Sequence, residues 1–350
     1  MTSSPTIANA PEKILALQFK YFGDAVLLTP ALRALRGHFP DSELHLLVPE
    51  EIAPLFLHLP WINRVWPMPR RRGRASPGQT WPVIGALRRE RFDRSADFAG
   101  NDRGAILSFL IGARQRLGII GEAGFLGRRF CYHQRVSPAP LAQHESLRLA
   151  HVLSAWNIAS PSSLEPEIRA DPAWAESSAR LLPARTVLGH LAAGQPKKEW
   201  PVRHWAAFHL LAAAAGWRLA FTTGPGPRDQ ALMAEFKKLA PQAQILPVVP
   251  ELGRFLALLK RAEVFISGDT GPLHFAAGLG VPTISLFGPT SPAQWAPIGE
   301  RHQILTGSSC ACDGNLSDCQ KADHCLAAIS PERVLACLQA TSGRQQSPPA

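Results

Sequence analysis

The stretch AEVFISGDTGPLHFAAGLGVPTISLFGPT, residues 262–290, constrains the fold more than any other part of the chain. Its β-branched and aromatic run at residues 264–267 stops at a Gly-Asp pair, as a buried parallel strand does. We predict that a helix begins there, with Thr270 or Asp269 as its cap and Pro272 in its first turn. The stretch therefore predicts a strand, a tight loop and a helix in immediate succession.

Small residues favour close packing of this helix on a sheet until Gly280, and residues 283–287 form the next predicted strand. The loop aims backbone N–H groups and a helix N-terminus at one point, which attracts phosphate. A second tight loop, residues 288–291, leaves the next strand at the same edge. Because ligands of open α/β sheets bind at the carboxyl ends of strands, the two loops predict a ligand-binding crevice. Taken alone, a Gly-Asp turn is equally consistent with an ordinary capped helix.

The rest of the C-terminal half alternates strand and helix. Strands are predicted at residues 186–191 and 218–222, and helices at residues 204–215 and 229–240. This alternation is typical of a parallel sheet covered on both faces, so we predict an α/β fold. No GxGxxG sequence follows a predicted strand, which counts against a nicotinamide or flavin dehydrogenase.

The N-terminal half begins with a second unit of the same kind. A strand at residues 14–19, a helix at residues 25–38 and a strand at residues 43–48 are predicted. Gly23 and Asp24 lie at the turn from strand to helix, as Gly268 and Asp269 do later in the chain. Asp24 is thus either the N-cap of a helix or a carboxylate that serves a site.

The chain is long enough for two domains, since 350 residues exceed one ordinary compact core. Residues 160–172 are rich in proline and serine and carry no periodic pattern, so we place the boundary there. The predicted domains are residues 12–165 and 173–340, with disordered tails at residues 1–11 and 343–350.

The net charge of +10 predicts an anionic partner: a nucleotide, a phosphorylated glycan or an anionic lipid surface. No nucleic-acid-binding module is recognisable, so nucleic acid is not an expected partner. The basic residues are dense in a loop and in the helix after it. They are either a solvated face or a patch that meets an anionic membrane or a phosphorylated acceptor. These residues are Arg70, Arg71, Arg72, Arg74, Arg88, Arg89, Arg91 and Arg94.

The lack of a long apolar run, and of the basic start and apolar centre of a secretory signal in residues 1–11, predicts a cytoplasmic protein. In that compartment the six cysteines are more often thiols or metal ligands than disulfides. Cys310, Cys312, Cys319 and Cys325 crowd into one segment, but their spacing is not that of paired CxxC motifs. We therefore expect thiols there, with a structural zinc as the alternative.

Four motifs follow one another along the chain: FGDAVLLTPAL at residues 22–32, KEWP at 198–201, GDTGPLH at 268–274 and LFGPT at 286–290. In this order and spacing they resemble glycosyltransferase family nine, the lipopolysaccharide heptosyltransferases, and the resemblance covers about residues 14–340. The resemblance implies the GT-B architecture, in which two Rossmann-like domains face each other across a cleft. The acceptor then binds the first domain and the nucleotide sugar binds the second.

The resemblance also implies an inverting, metal-independent transfer of a heptose from ADP-heptose to the inner core or lipid A region of lipopolysaccharide. Asp24 matches the general base, a role that typically contributes 10²–10⁴-fold. Lys198 matches the phosphate-binding lysine, although the adjacent Lys197 leaves an ambiguity of one position. No cofactor or metal is implied, because a helix N-terminus and a lysine stabilise the departing diphosphate. The implied binding residues are Gly23, Lys198, Gly224, Asp269, Thr270, Gly271 and His274.

Two departures from the family pattern bear on substrates. Tyr21 and Phe22 are aromatic where smaller residues are usual, which reshapes the acceptor side. A carboxylate that binds the ribose is expected near Gly224, and the acid nearest to that position is Asp229. Because Asp24 is expected on the acceptor domain, closure of the cleft is expected to bring it to the donor.

Two alternatives to heptose transfer stay open at this point. One is a GT-B transferase that uses another nucleotide-sugar donor, and the other is a non-catalytic protein that binds nucleotide sugars or glycans. The resemblance favours an enzyme on the cytoplasmic face of the inner membrane, in peripheral contact with that surface.

Overall fold

A computed structural model of the chain describes residues 11–69, 77–121, 124–308 and 325–345. Two six-stranded sheets dominate it, and every strand pairing in both is parallel. Such sheets need helices on both faces, which agrees with the continuous burial of residues 14–17, 44–49, 187–190 and 265–268 in four of the strands.

The strands of the first sheet are β1 (Lys13–Leu17), β2 (Glu43–Pro49), β3 (Arg64–Met68), β4 (Arg94–Asp97), β5 (Gln115–Ile119) and β6 (Gln134–Val136). Those of the second are β7 (Val187–His190), β8 (Leu219–Thr222), β9 (Gln244–Ile245), β10 (Phe265–Gly268), β11 (Thr283–Phe287) and β12 (His302–Thr306). The first sheet has the order β3-β2-β1-β4-β5-β6 and the second β9-β8-β7-β10-β11-β12. Both orders are that of the Rossmann fold, whose switch point falls between β1 and β4 or between β7 and β10.

The α-helices connect these strands. They are α1 (Phe22–Leu27), α2 (Thr29–His38), α3 (Pro77–Arg89), α4 (Asp102–Ile111), α5 (Glu145–Ala150), α6 (Ala175–Leu181), α7 (Val202–Ala214), α8 (Pro227–Leu239), α9 (Leu252–Leu259), α10 (Gly271–Gly278), α11 (Pro292–Trp295) and α12 (Pro331–Gln345). Within the described ranges, no helix combines the length and the apolar character needed to cross a membrane.

The chain divides into two compact units. The first contains the first sheet, and its core includes Leu15, Leu47 and Phe92. The second contains the second sheet together with two segments from the N-terminal half, Tyr21–Pro30 and Pro140–Ser146. The predicted domain boundaries run without such exchanges, and they stay a prediction.

One helix of the N-terminal half differs from its prediction. Instead of a single helix at residues 25–38, α1 begins three residues earlier and the chain breaks at Leu28 before α2. The hydroxyl of Thr29 donates to the carbonyl of Val26 at 2.8 Å and accepts from the N–H of Glu167 at 2.9 Å. This pairing holds the break, and the proline that follows suits the first turn of a new helix.

Several predictions fall outside the described residues. These are the structure of residues 1–10, the loop that holds Arg70, Arg71, Arg72 and Arg74, and the segment that holds Cys310, Cys312 and Cys319. At the C-terminus, α12 runs through Gln345, so the helix extends beyond residue 343, where a disordered tail is predicted.

Candidate active site

The junction of β10 and α10 lies at the switch point of the second sheet. All of β10 is buried, and α10 begins at Gly271 after Thr270, whose extended backbone occupies the N-cap position. The predicted position of the cap is thus confirmed, but the Thr270 side chain makes no capping hydrogen bond. The first amides of α10 are therefore not covered by that hydroxyl.

Asp269 pairs with a lysine instead of capping the helix. Its Oδ2 accepts a hydrogen bond from Lys198 Nζ at 2.7 Å. Lys198 ends a 3₁₀ turn, Pro196–Lys198, and a Cβ built at Gly268 would overlap the Lys198 carbonyl oxygen. A glycine is thus needed where the strand meets this turn. Since an ammonium group has three donors, Lys198 can hold Asp269 and still bind a ligand oxygen.

His274 is buried beside this pair. Its Nε2 lies 3.9 Å from Asp269 Oδ1, and its Nδ1 makes no hydrogen bond to any of the described residues. Burial lowers the pKa of His274 to about 4, against the opposing charge of Asp269, so the imidazole is neutral near pH 7. A neutral imidazole can both donate and accept a hydrogen bond.

Gly23 and Asp24 belong to α1, which packs in the second unit. A Cβ at Gly23 would lie 2.9 Å from His274 Cδ2, so the glycine permits the close approach of the two segments. Asp24 is the third residue of α1, whereas the N-cap position is occupied by Tyr21, so the N-cap alternative for Asp24 is wrong. The segment Tyr21–Pro30, which carries Asp24, is grouped with the second unit, which also holds Asp269 and His274.

One cavity of about 990 Å³ collects the predicted binding residues within the second unit. This volume is typical of a small-molecule site. Lys197 is buried and is absent from the lining, so the structure places Lys198 at the cavity. The predicted residues in the lining are Gly23, Asp24, Lys198, Gly224, Asp269, Thr270, Gly271 and His274.

The lining also includes residues that the motifs do not indicate. His190 ends β7, next to β10, and its ring centre lies 6.2 Å from those of Phe255 and Phe265. Burial lowers the pKa of His190 to about 4. Its position at the end of the strand that pairs with β10 is the signal that could have identified it. Trp295, with its ring centre 6.5 Å from that of His274, follows the predicted second loop.

The loop at residues 288–291 is not part of the lining, which corrects the prediction of two ligand-binding loops. It does follow β11, the strand next to β10. However, Gly288 packs against Cys325 and Leu326, where an added Cβ would come within 2.8 Å of either side chain. Gly288 therefore packs against the segment that begins at Cys325. Within the described ranges, no group of three or more His, Cys, Asp and Glu residues is placed to hold a metal ion.

An arginine in the lining of the cavity, near Gly224, contacts two neighbouring segments. Arg228 pairs with Glu199 at 3.1 Å and donates to the carbonyl of Ala193. Glu199 Oε1 also accepts from the N–H of Ala193 at 3.1 Å, while burial raises its pKa. Asp229 packs over Gly224, where an added Cβ would overlap its carboxylate. Both Arg228 and Asp229 line the cavity.

Solved structures share this architecture across nearly the whole chain. A glycosyltransferase of family 9 from Veillonella parvula is similar with a TM-score of 0.77 at 20% identity, covering 94% of this chain and 97% of that one. An Escherichia coli heptosyltransferase with ADP-2-deoxy-2-fluoro heptose is similar with a TM-score of 0.70 at 20% identity, covering 94% and 99%. Together with the two Rossmann sheets, these likenesses confirm the predicted GT-B fold class.

The family follows from a second comparison. The model of Glycosyltransferase family 9 (heptosyltransferase) matches residues 81–324, which is more than half of the chain. The chain therefore belongs to glycosyltransferase family 9, as its four motifs predict, and it is a glycosyltransferase. Lipopolysaccharide heptosyltransferase 2 of Escherichia coli K12 is 22% identical over 336 residues, covering 92% of this chain and 96% of that protein.

Proposed function

We propose that this chain transfers a heptose from ADP-heptose to the inner core or lipid A region of lipopolysaccharide. The observation that carries the proposal is that Asp24, Lys198 and the N-terminus of α10 line one cavity. The Escherichia coli relative is a lipopolysaccharide heptosyltransferase, and one similar structure holds an ADP-heptose analogue. Both support the choice of donor and acceptor.

The donor diphosphate binds at the N-terminus of α10. Gly271 has no side chain to hinder a phosphate, and the helix N-terminus favours negative charge. Lys198, held by Asp269 at 2.7 Å, adds a full positive charge beside these amides. This charge stabilises the ADP that leaves, so the transfer is metal-independent.

Asp24 is the general base. Its carboxylate takes the proton of the acceptor hydroxyl while the oxygen of that hydroxyl attacks the anomeric carbon of the heptose. The bond from this carbon to the diphosphate oxygen breaks as the new bond forms, and ADP departs from the opposite face. The configuration at the anomeric carbon is therefore inverted.

The two neutral histidines of the cavity suit a carbohydrate ligand. His274 has an unpartnered Nδ1 among the described residues, and both His274 and His190 have a pKa near 4. Because they are uncharged, these imidazoles can form hydrogen bonds with sugar hydroxyls or phosphate oxygens. They add no charge near the anomeric carbon. Thr270 offers a hydroxyl that the helix does not use as a cap.

The acceptor places this activity at a membrane. The net charge of +10 supports peripheral contact with an anionic surface, on the cytoplasmic face of the inner membrane where nucleotide sugars are available. Nucleic acid is not among the proposed partners.

Transfer from ADP-heptose to a truncated lipopolysaccharide tests the proposal. The Asp24→Asn variant is expected to lose about 10²–10⁴-fold in rate, because the amide cannot accept the proton. Asp41→Asn, a change at an exposed aspartate of the first unit, is the matched control and should transfer normally. A binding protein without catalysis would yield no product even as wild type.

A thermal-shift panel of nucleotide sugars separates ADP-heptose from other donors. A ligand at one hundred times its Kd stabilises the folded state by about 2.7 kcal/mol, which raises the melting temperature measurably. We expect ADP-heptose and ADP to give the largest shifts. A larger shift with another nucleotide sugar would favour the alternative donor.

A further inference from the structure

Four large apolar side chains are exposed in one region of the first unit. Ile106 and Phe109 on α4 are 46% and 55% exposed, and Phe130 and Leu126 are 68% and 103% exposed. We call these four residues the α4 patch. Single exposed apolar residues are common on soluble proteins, whereas grouped ones mark interaction sites.

The contacts of α4 bring these residues together. Asp102, Ile106 and Phe109 follow the spacing of four and three that puts residues on one helix face. Asp102 Oδ1 accepts from the N–H of Phe125 at 3.3 Å and lies 3.7 Å from Arg128 Nη1. The segment that carries Leu126 and Phe130 therefore lies against the face that presents Ile106 and Phe109.

Arg116 joins the other end of the patch. Its guanidinium lies 5.7 Å from the ring centre of Phe109, and its Nε donates to the carbonyl of Cys131 at 2.8 Å. Arg116 therefore links Phe109 on α4 to the backbone next to Phe130. The segment of residues 125–131 is thus held to α4 at Asp102 and, through Arg116, at Phe109.

Arg116 and Arg129 lie against the two phenylalanines of the patch. The exposed Arg129 lies over the ring of Phe130, 4.8 Å from its centre. Residues 101–136 contain six arginines and only two acidic residues. An apolar surface set among arginines complements a bilayer with anionic headgroups, where the side chains enter the acyl boundary and the arginines contact phosphates. The six are Arg103, Arg114, Arg116, Arg128, Arg129 and Arg135.

We propose that the α4 patch docks the first unit on an anionic phospholipid bilayer. Leu126 and Phe130 enter the headgroup boundary, and Arg129 binds lipid phosphate. The docking surface goes beyond the proposed function by assigning the membrane contact to particular residues. The docking surface rests on the proposed function in one respect only: the delivery of a lipid-linked acceptor is the reason for the protein to bind a membrane.

Binding to vesicles of phosphatidylglycerol and phosphatidylcholine tests the docking surface with the full chain. The wild type should bind these vesicles and bind pure phosphatidylcholine much more weakly. Leu126→Glu combined with Phe130→Glu should lower the partition coefficient at least about tenfold, because two apolar side chains that enter the bilayer are lost. Arg129→Gln should lower it about fivefold. Leu57→Glu, at a 57% exposed leucine between β2 and β3, should leave binding unchanged.

Three controls keep the outcomes distinct. The melting temperature of each variant should match the wild type, since the substituted side chains are exposed. Transfer to a water-soluble acceptor should also stay unchanged in the patch variants, because none of them lines the cavity. If the wild type transfers no heptose but binds vesicles through the patch, the proposed function fails and the docking surface stands.

Equal vesicle binding by wild type and the Leu126→Glu/Phe130→Glu variant would overturn the docking surface. A second result against it would be a wild-type dimer in light scattering that the same variant converts to a monomer, without vesicle binding by either. In that case the patch would be an interface between two copies of the chain.

Discussion

Replacing Gly23 with alanine tests the close approach of α1 to His274. The added Cβ would lie 2.9 Å from His274 Cδ2, whereas carbon atoms in good contact are about 3.5–4.0 Å apart. The imidazole must therefore move by about 0.6 Å or more. It is fully buried, so the movement disturbs packed neighbours on its far side.

The expected cost follows from two opposing effects. Overpacking of this kind typically destabilises a protein by about 1–3 kcal/mol. Alanine in a helix offsets about 0.5–1 kcal/mol of this, because it loses less backbone entropy than glycine. The net loss of about 0–2.5 kcal/mol corresponds to a drop of up to about 10 °C in melting temperature for a domain of this size.

Thermal unfolding of four proteins measures this coupling: wild type, Gly23→Ala, His274→Ala and the double variant. Without the imidazole the added methyl has room, so Gly23→Ala should cost little in the His274→Ala background. The expected coupling energy is about 1–3 kcal/mol, because the gain in helix propensity is the same in both backgrounds and cancels. Gly271→Ala is the matched control, since its Cβ would lie 3.5 Å from Phe22 Cβ, an ordinary contact. The same loss from Gly23→Ala in both backgrounds would refute the reasoning.

Three further predictions concern the lysine, a buried histidine and the absence of a metal requirement. Lys198→Ala should weaken ADP binding at least about tenfold, because a charged hydrogen bond contributes about 1.5–3 kcal/mol. Lys197→Ala should not weaken it. Calorimetry measures both affinities, and equal losses would contradict the assignment of Lys198. Burial holds the pKa of His302 near 4, so His302 is neutral when folded and takes up a proton on unfolding between pH 6.5 and 4. The free energy of unfolding should fall as the pH falls through this window. In urea unfolding, His302→Gln should lower the slope of this free energy against pH by about 1.4 kcal/mol per pH unit, whereas a change at the exposed His38, His38→Gln, should not. Excess EDTA should leave the transfer rate unchanged, and a loss that Mg²⁺ restores would contradict metal independence.

Local signals are sufficient to predict the four central strands of the second sheet. The strand predicted at residues 283–287 is β11 as observed, and the prediction at residues 264–267 differs from β10 by one residue. Short buried runs that stop at glycine or proline carry this information within a few residues of sequence. The junction that holds Asp269, Thr270 and Gly271 was predictable for the same reason.

Long-range packing explains the failures. Nothing near residues 21–30 in the sequence indicates that this segment packs with the second unit, because its partners His274 and Phe275 lie about two hundred and fifty residues away. Likewise, Gly288 packs against Cys325, which is 37 residues further along the chain. Local pattern puts His190 at the end of a predicted strand, but it does not show that this strand pairs with β10, because neighbouring strands of a parallel sheet are distant in sequence.

The apolar pattern of residues 144–157 predicts one continuous helix, and the structure shows the limit of that kind of prediction. α5 ends at Ala150, and a 3₁₀ helix continues through Trp156 to a left-handed Asn157. Both helix types place apolar residues on one side at intervals of three or four, so a pattern of apolar residues alone does not distinguish them.

The central claim is that one cavity holds both the general base, Asp24, and the site that binds the diphosphate. The most direct test is to measure single-turnover transfer by the Asp24→Asn variant, together with its affinity for ADP on the same preparation. We predict that the rate of heptose transfer falls at least about a hundredfold while ADP affinity is retained. Transfer at the wild-type rate by this variant would contradict the role of Asp24.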